Sequence, residues 1–327
     1  MKKLFNLTEE KIGDRYATVV SGLGEYNLMA TLECGQAFRH ELIRCEGEYV
    51  EYLTVISDLL VTVGQRKPGE LIFYRISREV FESRIKDFFT LDVDYEKIKN
   101  EIISVTDSKW LKEAATYSGG IAILKQDPWE ALFSFIISQN NNIPRIRKII
   151  RQICAAYGVN LCLQSGINKC PLGKINGVPC HEKCESCGTC YSFPSCHDIL
   201  TSPEKLLLSR PGFRYKYLVD AAGKVCSGEV SLEDIAKKES YEYTVESLKQ
   251  IKGVGDKVAS CVALFGFSNL DAFPVDVWMK RAIDEYFGGN LDYKALGKYA
   301  GVAQQYIFHY IRYLNGINNG EQKPTQS

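Results

Sequence analysis

From about Ala17 to Phe89 the chain changes between apolar and polar over short runs. Tyr49-Val50-Glu51-Tyr52-Leu53-Thr54-Val55 and Leu59-Leu60-Val61-Thr62-Val63 are two of them, rich in β-branched and aromatic residues and set off by Gly or Asp turns. This pattern predicts a mainly antiparallel sheet. At Pro128 the period lengthens to that of a helix. Asp127 is placed to cap it, Pro128 suits its first position, and Ala131, Leu132, Phe135 and Ile136 share one face. Helical spacing then continues to about Leu314 with no internal repeat, and the polar stretch from Asn315 to Ser327 is expected to fray. The fold class is therefore α+β. An N-terminal antiparallel sheet domain over 1–115 is expected to pack on a larger all-helical domain over 116–320, with a Cys-rich insertion at about 160–196.

No apolar run approaches the ~20 residues of a membrane span, and the first residues turn acidic at Glu9 and Glu10 before a signal-peptide core develops. A cytoplasmic location with no membrane partner is the expectation. Lys plus Arg and Asp plus Glu each number 40, so net charge says nothing for or against nucleic acid. Local clusters do: Arg145, Arg147, Lys148 and Arg151; Arg210, Arg214 and Lys216; Lys249, Lys252 and Lys257. Each reads equally as a solvated helix face or as a set of phosphate contacts.

Twelve cysteines are many for a reducing compartment, and eight of them (Cys154, Cys162, Cys170, Cys180, Cys184, Cys187, Cys190, Cys196) crowd one region. Cys180-x3-Cys184-x2-Cys187-x2-Cys190 lies among Pro, Gly and charged residues that cannot build a core, so a metal clip is a physical reason for the segment to order. Structural zinc, an iron–sulfur cluster and free or redox-active thiols all remain open, with Cys170, His181 and Cys196 as substitute ligands.

The stretch from Leu248 to Leu264 reads as helix, glycine hairpin, helix. Gly253 and Gly255 let the backbone turn so that amide N–H groups at the start of the second helix point outward, where a phosphate can accept them; an ordinary corner between two helices has the same look. Lys257 falls in the first turn after the hairpin, where a cation is mildly unfavourable, and a cost borne there suggests a use. Cys261 shares its face one turn later, as a pocket thiol or as a small buried hydrophobe. Further on, Asp276 follows Pro274 and is placed to cap the next helix; a carboxylate held by its cap can also face a reacting cation.

The pairing of I-K-G-V-G-D-K-V-A-S-C with F-P-V-D-V resembles the helix–hairpin–helix glycosylases that carry a Gly/Pro-rich loop and a catalytic aspartate. More closely, it resembles the 8-oxoguanine DNA glycosylase and AP lyase family. The likeness continues through Gly35-Gln36-Ala37-Phe38-Arg39, Gln126-Asp127-Pro128, Phe133-Ser134-Phe135-Ile136, Asn140 to Arg145, Gly212-Phe213-Arg214-Tyr215, and Ala303-Gln304 to Phe308, nearly the whole chain apart from the Cys-rich segment.

The resemblance implies that Lys257 attacks the sugar C1′ and that the resulting Schiff base breaks the strand by β-elimination. That needs a neutral amine, which burial and neighbouring cations would favour. It gives Asp276 the task of orienting or deprotonating the nucleophile and stabilising the cationic sugar. The flipped base would lie between Phe308 and Cys261, with Gln304 on its Watson–Crick edge and the carbonyl of Gly35 meeting the N7 hydrogen that distinguishes the oxidised base. Taken alone, Phe308 and Gln304 look like helix packing and a polar face, and Gly35 like a turn glycine. Asn140 and Arg145 match contacts to the cytosine opposite the lesion, and Arg214 lies in the matching turn. Phe213 replaces a tyrosine wedge found in many members, and Trp278 stands where animal members have histidine; both departures put the opposite-base preference in question. A monomer acting on 8-oxoguanine-containing duplex DNA, with no cofactor needed for catalysis, is what the likeness implies. The rivals are an alkylated-purine glycosylase, which shares the aspartate but lacks the lysine, and a non-catalytic DNA-binding module that would need neither residue.

Overall fold

The computed structural model of the protein describes residues 5–164, 174–175, 178–179 and 188–318. Its N-terminal part holds six strands: β1 (Asn6–Ile12), β2 (Arg15–Ser21), β3 (His40–Glu46), β4 (Tyr49–Ile56), β5 (Leu59–Gln65) and β6 (Glu70–Tyr74), paired antiparallel in the order β1-β2-β6-β5-β4-β3. The helix α1 (Leu28–Glu33) is inserted between β2 and β3, capped by the Asn27 side chain on the Ala30 amide. The antiparallel sheet expected from the alternating runs is present, but its limits differ from those expected. It begins at Asn6, and the stretch after Tyr74 is helical over Arg78–Ile85 rather than extended. Phe81, Ile85 and Phe89 recur every four residues and are all fully buried, so a helical period, not alternation, covers the end of the sheet.

The remainder is helical, as the spacing after Pro128 predicts. The helices that matter below are α2 (Tyr95–Val105), α3 (Lys109–Ser118), α4 (Pro128–Ser138), α5 (Ile143–Tyr157), α6 (Cys196–Thr201), α7 (Tyr215–Ser227), α8 (Leu232–Lys238), α9 (Tyr241–Leu248), α10 (Asp256–Gly266), α11 (Val277–Tyr286) and α12 (Ala300–Asn318). Asp127 caps α4 through the Glu130 amide at 2.9 Å, with Pro128 in the first turn, as expected. No helix among the described residues is long and apolar enough to cross a membrane.

Two apolar cores meet across the molecule. One lies under the sheet, around Leu28, Tyr52, Phe73 and Phe81; the other joins the helices, around Phe133, Ile150, Leu264 and Tyr306. Their sequence ranges interleave. Ile98, Ile102, Leu111 and Ala115, from α2 and α3, belong to the helical core, whereas Ala122 and Leu124 belong to the sheet core. A buried ion pair spans the seam. Arg39 donates to the Glu130 carboxylate at 2.9 Å and to the carbonyl of Tyr191, which fixes the start of α4 against the sheet and against the segment returning from the Cys-rich region. Desolvation raises the Glu130 pKa above the usual carboxylate range, and Arg39 opposes that rise.

Candidate functional site

The hairpin turns at Gly253, whose φ of +78° lies in the left-handed region; a Cβ there would also meet the Tyr217 ring at 2.4 Å. Gly255 is different. It is the N-cap of α10 with an ordinary extended backbone (φ −102°), and a Cβ on it would point into open space. Nothing among the described residues demands glycine there. Asp127, Asn142, Ser240 and Asp276 each cap their helix with a side-chain oxygen, but Gly255 has no side chain to do so, so the opening amides of α10 lack such an acceptor. Uncapped, electropositive amides behind an unobstructed glycine are the physical requirement for an anion to approach.

Lys257 stands in the first turn of α10, partly buried. Its amine lies 3.4 Å from the Ser138 hydroxyl and 5.5 Å from the centroid of the Phe135 ring, both at the C-terminal end of α4. Among the described residues no carboxylate oxygen comes within 4.0 Å of it, so the amine is not tied into an ion pair. One turn on, Cys261 is buried. Burial pushes its thiol up, Lys257 pulls the other way and Asp276 adds to the rise, so it meets the pocket as a neutral thiol at neutral pH. Asp276 caps α11 by accepting from the Met279 amide at 2.9 Å, which holds its carboxylate at the mouth of the same pocket.

Two adjoining pockets share this centre. The inner one is lined by Gly35, Phe135, Lys257, Cys261, Asp276, Gln304 and Phe308, together with Cys34, Phe265, Pro274 and Gln305. The outer one shares Gly35, Phe135, Lys257, Asp276 and Phe308, and opens past Ser138, Asn141, Asn142, Trp278 and Arg312. The structure thus brings Lys257, Asp276, Gly35, Cys261, Gln304, Phe308 and Trp278 together. Phe308 forms one wall, with the Arg312 guanidinium 5.4 Å from its ring centroid. Gln304 is buried and its carbonyl oxygen accepts from Gln305 at 2.7 Å.

Gly35 does not come from a strand. It lies in the loop between α1 and β3 with φ +85°, and its neighbour Gln36 holds it there. The Gln36 side chain donates to the carbonyls of Thr31 and Ala122 at 2.8 Å each and accepts from the Leu124 amide at 2.8 Å; its own carbonyl accepts from Gln126 at 2.7 Å. A left-handed glycine is thereby fixed by four buried hydrogen bonds that tie its neighbour to α1 and to residues 122–126.

The DNA-facing candidates form a second group. Asn140 is exposed on the turn between α4 and α5 with φ +45°, and Arg145 is exposed in the first turn of α5. Phe213 is 49% exposed, and Arg214 lies 4.4 Å from its ring centroid. Arg214 itself is buried. It donates to the carbonyl of Asn140 at 2.9 Å, of Pro211 at 3.1 Å and of Gln139. The basic cluster on α5 divides: Arg151 pairs with Glu41 at 2.6 Å, and Arg147 faces Glu33 and Glu41 and bonds the His40 carbonyl, so both tie α5 to the sheet while Arg145 is left outside. Lys249 pairs with Asp256 at 2.9 Å.

Of the proposed metal quartet, Cys180, Cys184 and Cys187 lie outside the described residues; Cys190 is described and is buried. Cys34, Ser138 and Arg312 also line the two pockets and Gln36 holds Gly35, and sequence reasoning did not single these four out. Only the apolar face of α4, which presents Phe135 and Ser138 together, held a signal for one of them.

A glycine hairpin opening a lysine-bearing helix, with a capped aspartate across an aromatic-walled slot, is the arrangement of the helix–hairpin–helix DNA glycosylase class. Comparison narrows this further. A family model for the 8-oxoguanine DNA glycosylase N-terminal domain matches residues 19–132. The N-glycosylase/DNA lyase of Saccharomyces cerevisiae is 31% identical over 286 residues, covering 82% of this chain and 70% of the yeast protein. The Clostridium acetobutylicum 8-oxoguanine glycosylase/lyase, solved with duplex DNA carrying cytosine opposite 8-oxoguanine, is 31% identical with a TM-score of 0.77, covering 96% of this chain and 99% of that one. A 3-methyladenine DNA glycosylase from Archaeoglobus fulgidus shares the fold at a TM-score of 0.62 and 16% identity. The chain belongs to the 8-oxoguanine DNA glycosylase/lyase family.

Proposed function

We propose that this chain removes 8-oxoguanine from duplex DNA and then nicks the abasic strand. The observation that carries the reading is the pairing of Lys257 and Asp276 around one slot, roofed by Phe308 and reached past the uncapped amides of α10. The hairpin would hold a phosphate, and the base, flipped from the stack, would enter between Phe308 and Cys261. Asp276 accepts the lysine proton or stabilises positive charge at the sugar. The Lys257 amine then forms a bond to C1′ as the bond from C1′ to the base breaks and its electron pair leaves with the base. Opening of the sugar ring gives a protonated Schiff base. Loss of a C2′ proton expels the 3′-phosphate, and water returns the free amine.

Gly35 supplies a carbonyl for the N7 hydrogen of the oxidised base; guanine presents a lone pair there instead. A mismatched buried polar contact of this kind costs roughly 1–3 kcal/mol. No cofactor takes part in this sequence of bonds. The cysteines of the insertion (Cys180, Cys184, Cys187 and Cys190) suit a structural zinc or an iron–sulfur cluster, a matter of stability rather than chemistry. The working form is a monomer on cytoplasmic, nucleoid-associated DNA. The alkylated-purine reading has no use for the amine that lines both pockets, and the binding-module reading has none for the slot.

The test is base release and strand cleavage on a duplex with one 8-oxoguanine, beside the same duplex with guanine or with 3-methyladenine at that position. Release confined to 8-oxoguanine, with nicking, supports the reading; release of 3-methyladenine alone, or binding without release, overturns it.

A further inference from the structure

Apart from the DNA slot, the structure brings together one set of soft metal ligands among its described residues. Cys196 opens α6, His197 follows it, and Cys226 lies in the last turn of α7; their ligand atoms all fall within 4.8 Å of one another. We propose that Cys196, His197 and Cys226 form a zinc site of their own, with the two thiolates and the imidazole Nδ1 as protein ligands and solvent in the fourth position.

The Cys196–His197 spacing fits the ion, and the Cys226 sulfur lies within 4.8 Å of both ligand atoms. Tetrahedral zinc with bonds of about 2.3 Å to sulfur and 2.0 Å to nitrogen sets its ligand atoms about 3.5–3.8 Å apart. Cys196 Sγ and His197 Nδ1 are 3.7 Å apart, and neither cysteine is in a disulfide. The backbone is set in advance. Ser195 and Asp198 close a reciprocal capping box around the first turn of α6, which fixes where Cys196 and His197 begin. The chemistry balances without a redox partner: each thiol gives its proton to solvent as its sulfur takes the cation, and the imidazole binds through Nδ1 while Nε2 keeps its hydrogen. Both cysteines are half-buried and His197 is exposed, so an ion can enter from the histidine side.

The consequence is a clip. It joins the first helix after the Cys-rich insertion to the far end of α7, whose other end follows the Phe213–Arg214 turn about 16 Å away at 1.5 Å per residue. Zinc there would stiffen the platform of that turn and leave the Lys257 slot untouched.

The test uses the full-length chain, stripped with a chelator under reducing conditions and titrated with Co2+ and then Zn2+ alone. Cysteines of the insertion can also take metal, so the decisive comparison is with Cys226→Ser, a residue 30 positions beyond Cys196. The parent is expected to take one more equivalent than Cys226→Ser and to show stronger thiolate-to-cobalt absorption. His197→Gln alters only an exposed side chain; it should keep the metal-free melting temperature and bind Zn2+ at least about tenfold more weakly, and it decides the matter if Cys226→Ser does not fold. Equal metal uptake and affinity in all three proteins would overturn the site. So would closure of a Cys196–Cys226 disulfide in a protein whose reduced form takes up no metal dependent on His197 or Cys226.

Discussion

The guanidinium of Arg214 donates to the carbonyl of Asn140 at 2.9 Å, holding a non-glycine residue in the left-handed region at φ +45°. A side chain that looks on paper like a phosphate ligand is here the peg for the turn that carries Asn140 and leads into α5. Arg214→Ala would leave the carbonyls of Gln139, Asn140 and Pro211 without this donor and is expected to destabilise the fold by about 1–3 kcal/mol. It should also weaken duplex binding, because Asn140 is no longer held. Asn140→Gly in the Arg214→Ala background should restore part of the stability, since glycine adopts that backbone freely. Calorimetry on the two variants checks this, and no gain from the second substitution would mean that the strained turn is not what Arg214 supports.

The two hairpin glycines should separate cleanly. Gly253→Ala places a methyl into the Tyr217 ring at a left-handed φ and is expected to cost at least 1–3 kcal/mol of stability. Gly255→Ala meets open space at an ordinary φ, so stability should shift by about 1 kcal/mol or less. Its effect should fall on DNA affinity, where the methyl stands between a phosphate and the amides of α10. Thermal denaturation beside duplex titration distinguishes them; equal melting losses in both variants would contradict the assignment.

How far the chain could be read without its structure follows from the range of each signal. Lys257, Asp276 and the hairpin stand out because cap chemistry and glycine placement are local and leave marks within a few residues. Gly35 could be proposed only through its family likeness, since the bonds that fix it run from Gln36 to Ala122 and Leu124, nearly ninety positions away. Arg147 and Arg151 look like DNA ligands in a basic run until Glu33 and Glu41 arrive from the sheet side. Phe81, Ile85 and Phe89 fell inside a β-rich window, and only their fourfold spacing betrays the helical stretch. The Cys196–Cys226 pairing joins two helices and has no local mark at all.

Asp276→Asn keeps an oxygen for the Met279 amide, so α11 should remain capped and the melting temperature should move by about 1 kcal/mol or less in equivalent stability. Base excision should nevertheless fall by about a hundredfold or more, since the charge facing the sugar is gone. Single-turnover excision measured with thermal stability checks this. A loss of activity that merely follows a loss of stability would leave capping as the residue's whole role.

Gly35→Ala introduces a side chain at φ +85° in ordinary contact distance of Ile143 and Phe308. Strain there should shift the carbonyl, reducing 8-oxoguanine excision by about tenfold to a hundredfold while binding to an abasic-site analogue, which has no N7 to meet, changes little. Equal losses on both ligands would show that the glycine only shapes the pocket.

The central claim is that the Lys257 amine forms a covalent bond to the sugar, and borohydride reduction tests it most directly because it converts a Schiff base into a stable protein–DNA adduct. On duplex DNA with one 8-oxoguanine, the parent protein should yield a trapped adduct, and Lys257→Gln should yield none while still binding the lesion through the hairpin and base pocket. An adduct formed by purified Lys257→Gln at the parent's yield would contradict the account.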